Sequence, residues 1–107
     1  MSESVEVKVP VSQSLVQEIK ENIEHFDYKM RKSFDEETDL KERIELLELA
    51  LSKTSEETVK FLIREMIEEA KLKCQEHAKC AQSAKNNKEY YQEMLKALDE
   101  ALKIHKQ

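Results

Sequence analysis

The chain has 107 residues, of which 38% are charged and 39% hydrophobic, with one proline, no glycine, no tryptophan and a net charge of -5. That length allows one core, and the shortage of turn-formers excludes an all-β sandwich or any nucleotide fold that depends on glycine. Leu, Ile, Ala, Glu, Lys and Gln are strong helix formers and dominate the chain, so the expected class is all-α: an antiparallel bundle of three to four helices, with one long coiled-coil-like helix as a variant.

The opening stretch alternates Val5, Val7, Val9 and Val11 with polar residues, a period of two that favours an extended or disordered N-terminal arm over residues 1–11. Pro10 bars this arm from the centre of a sheet. Residues 12–107 then form the single helical domain. With Ser12 or Ser14 as N-cap, Leu15, Ile19, Ile23, Phe26, Met30 and Phe34 recur in steps of three and four, which predicts a first helix over 12–34. Asp35-Glu36-Glu37-Thr38-Asp39 interrupts the stripe and places acids where the N-terminal dipole of a second helix, 39–52, favours them.

Leu40, Ile44, Leu47 and Leu51 line that second helix, with Leu46 and Leu49 widening the stripe. Thr54 and Glu57 then have capping-box spacing ahead of Val59, Leu62, Ile63, Met66, Ile67 and Ala70, which predicts a third helix over 55–84. A fourth, 88–105, follows Asn86-Asn87. Against these breaks stands the phase of the pattern. Ala70, Cys74, His77, Ala81, Ala84, Lys88, Tyr91, Leu95, Leu98, Leu102 and His105 keep a seven-residue register straight through Asn86-Asn87, so the last half also reads as one helix of ~75 Å that requires a partner to cover it.

Chemistry is sparse. Cys74, His77 and Cys80 are zinc-ligand types, but they fan across about 120° of one helix, and a tetrahedral site needs a fourth ligand and converging vectors. No metal or cofactor is expected. The two cysteines lie about 9 Å apart along the helix axis, out of disulfide reach, which fits a reducing compartment. A di-metal carboxylate bundle needs Glu three residues before His, and those positions hold Asn22, Cys74 and Leu102. His25 and His105 read as surface or helix-end residues. No nucleophile turn or phosphate loop is present, so the chain is expected not to be an enzyme.

All of the net charge lies in residues 1–53, which carry 8 basic and 13 acidic side chains. Without a cationic face, neither nucleic acid nor an anionic membrane is an expected partner. Met1-Ser2-Glu3-Ser4-Val5 has no basic leader and no apolar run spans a bilayer, so the expected setting is cytoplasmic. Asp35, Glu36, Glu37 and Asp39 begin the densest acidic cluster, a candidate for steering a basic partner, though solubility and dipole matching explain it more simply. Cys74, His77 and Ala81 sit in a stretch of small residues where a partner helix could approach closely. Tyr91 and Leu95 belong to the seam that a second copy would cover.

An alternating apolar arm, a long first helix, an acidic turn and a long interrupted hairpin, carried by Leu15-Val16-Gln17-Glu18, Asp39-Leu40-Lys41 and Glu89-Tyr90, resemble tubulin-binding cofactor A. The proline-marked break of that family's second helix has no counterpart here. The resemblance implies three helices and a tubulin-chaperone role, and stands as an alternative. The principal expectation is a non-enzymatic adaptor subunit or small chaperone that binds another protein by helix packing. A homodimer through the C-terminal seam is the structural alternative, and an acidic antagonist of a basic site is the third.

Overall fold

The structure is a computed structural model that describes residues 10–105. It is all-helical, with two long helices packed as an antiparallel hairpin: α1 spans Val11–Lys53 and α2 spans Glu57–Ile104. At 1.5 Å per residue their 43 and 48 residues are about 65 and 72 Å long. No strand occurs among the described residues. The arm predicted for 1–11 lies outside them except for Pro10 and Val11.

α1 begins two residues earlier than a Ser12 cap predicts, with Pro10 at the cap position. Pro10, with φ -56° and ψ 143°, precedes the first turn, and its carbonyl accepts a hydrogen bond from the Ser14 N–H at 3.0 Å. Proline at this place loses nothing, because the first N–H groups of a helix have no partner inside it.

The bundle of three to four helices predicted from the sequence is replaced by two, because two of the three expected breaks do not form. At 35–39 the Thr38 hydroxyl donates back to the Phe34 carbonyl at 2.9 Å, and Glu37 pairs with Lys41 one turn on at 3.3 Å. At 86–87 the Asn87 amide donates to the Ser83 carbonyl at 2.9 Å and Gln82 donates to Asn86 at 2.9 Å. Polar side chains that compete with a helix are here bonded onto it, and neither glycine nor proline forces a stop. The three helices implied by the resemblance to tubulin-binding cofactor A are likewise two among the described residues.

The third break does form. Thr54 and Glu56 are extended, at φ/ψ of -117°/146° and -78°/119°. The N-cap is Glu56 rather than Thr54: its carboxylate accepts from the Thr58 N–H at 3.2 Å, while the Thr54 hydroxyl accepts from the Glu56 N–H at 3.2 Å. Successive side-chain acceptors satisfy the backbone through the turn. At the other end the His105 N–H closes onto the Ala101 carbonyl at 2.9 Å.

α1 packs along the seam of the long second helix. Phe26 meets Tyr91, Asp27 meets Lys88, Glu36 meets His77 and Glu37 meets Cys74, so the helices pair in steady antiparallel register. The seam follows a heptad on both helices. On α1 it passes through Val16 and Ser33, while Leu15 and Phe34, which the stripe pattern placed on the inner face, are exposed. Ile19, Ile67, Ala70, Ala81 and Ala84 are the buried core.

Candidate interaction surface

The middle of the seam is polar, and it gathers most of the residues singled out by sequence. The Cys74 thiol donates to the Glu37 carbonyl at 3.8 Å, and His77 Nε2 lies 3.7 Å from Glu36 Oε2, an ion pair when the imidazole is protonated. The acidic segment and the Cys74-His77 stretch, two separate candidates in the sequence, therefore face each other across the hairpin. Asp35 and Asp39 are exposed beside this contact. Ala81, at 1% exposure, faces α1. The close-approach stretch is thus already occupied by the chain's own first helix.

Tyr91 stacks on Phe26 with ring centroids 5.8 Å apart and planes 21° from parallel, and Leu95 is half-buried beyond it. α1 covers this seam as well. Of the three zinc-type residues, Cys74 and His77 are turned toward α1 and Cys80 is exposed. Among the described residues no group of three or more His, Cys, Asp or Glu side chains could hold a metal ion.

Sequence reasoning missed Asp27. Its carboxylate accepts from Lys88 Nζ at 2.8 Å and pairs with Arg31 Nε at 3.0 Å, with Asp27 and Lys88 half-buried and Arg31 exposed. A lysine at an apolar register position signals that a carboxylate is needed opposite, but which one depends on the pairing of the helices. The hydrogen bond from Lys88 holds the Asp27 carboxyl below its ordinary value against the opposing effect of partial burial, with the charges of Lys88 and Arg31 adding to it.

A carboxyl depressed by folding contributes stability above its unfolded pKa of about 3.9 and loses that contribution as pH falls through the lower folded value. Asp27→Asn is therefore expected to be less stable than the wild type at pH 7, with the gap closing in acid. Chemical denaturation at both pH values checks this; a gap that stayed constant would show that the pair is not linked to folding.

The outer surface is less even. On one flank of the groove between the helices, Leu40, Arg43 and Leu47 of α1 close with Met66, Glu69 and Lys73 of α2 around a shallow cavity, and Glu36, Asp39 and His77 continue the same flank. Leu46 lines it next to Asp39 and Arg43. Leu46, Leu62 and Met66 are 61%, 53% and 53% exposed near the connection. The sequence placed all three in inward stripes; the heptad phase puts them one or two positions off the seam. No described helix is long and apolar enough to cross a membrane. Comparison with protein-family models, with curated proteins and with solved structures finds no match.

Proposed function

We infer that the protein is a non-enzymatic interaction module, an adaptor or small chaperone, that binds through the outer flank of its hairpin rather than through the seam. The observation that supports this reading is the exposure of Leu46, Leu62 and Met66 together on one flank, near the connection. Contiguous exposed aliphatic and methionine side chains with charged neighbours such as Arg43, Glu69 and Lys73 are the composition of a binding surface with a polar rim. The partner is a protein that offers an apolar helix face, since a long hairpin flank matches another helix in shape.

The test is the double variant Leu62→Glu/Met66→Glu. Both residues lie outside the seam, so helicity by circular dichroism is expected to match the wild type. Binding to whichever protein occupies the flank, another chain or a second copy, is expected to weaken by about 2 kcal/mol or more, a ~30-fold rise in Kd. A partner held equally by both forms would overturn the reading.

A further inference from the structure

Resting on that reading, we propose that the occupant of this flank is a second copy of the chain, lying antiparallel so that Cys80 of each copy sits beside the two-fold axis. The first argument is area. The chain exposes 8486 Å², where a globular monomer of 12.6 kDa exposes about 6,200 Å². A standard interface takes ~800 Å² from each partner, less than that excess.

The second argument is the distribution of side chains. Residues seven apart share a flank in a heptad hairpin, so Met66 and Lys73 carry their side on to Cys80, Asn87 and Met94, and Arg43 and Glu36 carry theirs on to Lys29, Asn22 and Leu15. This flank is apolar at both ends and charged between them. Leu15 and Met94 are exposed at the open end, as Leu62 and Met66 are near the connection. The opposite flank carries Lys41, Glu48, Arg64, Lys71, Lys85 and Asp99, all exposed, with Phe34, Phe61 and Ala78 as apolar residues among them.

Charge then selects the orientation. Along α1 the flank holds Lys29 and Lys32 on one side of its midpoint and Glu36 and Asp39 on the other, all exposed or half-buried. A parallel copy, related by a two-fold along the helices, sets α1 of one chain on α2 of the other, where the flank positions level with Lys29 and Lys32 are the uncharged Cys80, Ser83 and Asn87, so the lysines meet no acidic partner. An antiparallel copy sets each lysine pair against the partner's acidic pair and brings the Met66 end of one chain onto the Met94 end of the other, which complementary charges favour. Cys80 is level with residues 33–35 of α1 by the pairing of Glu36 with His77, at that midpoint, and its thiol is free and exposed. The assembly is a four-helix bundle built from two chains.

The experiment is light scattering of the full chain together with crosslinking by a short bismaleimide at low micromolar protein. A dimer is expected, crosslinked in the wild type and in Cys74→Ser and reduced to background in Cys80→Ser. Lys29→Glu/Lys32→Glu and Glu36→Lys/Asp39→Lys are each expected to lose the crosslink and to regain it when mixed, because the swapped charges again match. Circular dichroism on each variant separates loss of pairing from loss of fold. A monomer, or a dimer without a Cys80 crosslink, would overturn the proposal. If the monomer still binds another protein that Leu62→Glu/Met66→Glu releases, the interaction reading stands without this occupant; a dimer indifferent to those flank changes removes both.

Discussion

Ile67→Ala is expected to lower the free energy of unfolding by about 2–5 kcal/mol, the range for deleting a large aliphatic side chain from a packed site. Ile67 is 5% exposed and lies at the connection end of the seam, one turn from Ala70. A two-helix core has few buried large side chains to share the loss, and the facing helix is stiff, so the space left behind closes poorly. Urea denaturation at fixed protein concentration measures the effect, because association would itself add concentration-dependent stability. Leu72→Ala, at an exposed position on the far side of α2, serves as the comparison and is expected to change stability by less than about 0.5 kcal/mol.

Ala81→Leu is expected to destabilise by about 1–3 kcal/mol, through the opposite cause. Ala70, Ala81 and Ala84 are all buried, and the lack of side-chain bulk on this stretch of α2 is what lets α1 lie close. Three added carbons at position 81 have no space to enter. The helices must separate around the point where Glu36 and Glu37 reach His77 and Cys74, so those contacts weaken as well. Gln75→Leu places the same leucine side chain at an exposed site, with no close helix to displace, and is expected to be near neutral. If the two variants unfolded at the same urea concentration, Ala81 would not be at a close contact.

The helical class, the break after Lys53 and the heptad from Ala70 to Leu102 were legible in the sequence, because each rests on local chemistry: propensity, side-chain acceptors near the backbone, and spacing. The breaks expected at 35–39 and 86–87 were not there. Thr38 and Asn87 carry groups that can either interrupt a helix or bond back onto it, and composition does not distinguish the two. The inner face of α1 was read one position off at each end, through Leu15 and Phe34 rather than Val16 and Ser33, because the larger apolar residue drew the stripe toward itself. The seam runs instead where the heptad phase of both helices agrees, even at the cost of Ser33 and Glu37 on the inside. The candidate surface suffered from the same ambiguity: Leu46, Leu62 and Met66 look like core until the phase is fixed.

The ionic contact between Asp27 and Lys88 bears on how this hairpin finds its alignment. A seam that repeats every seven residues offers nearly equivalent packings when one helix slips past the other by a full heptad, with a turn of helix unwound at the connection. Such a slip in one direction would set Lys88 level with Lys20 and Asp27 with Ala81; in the other it would set Lys88 level with Phe34 and Asp27 with Leu95. Either displacement strands both charges against a like charge or an apolar neighbour. The half-buried pair thus acts as a key for one alignment among several that aliphatic packing alone would tolerate.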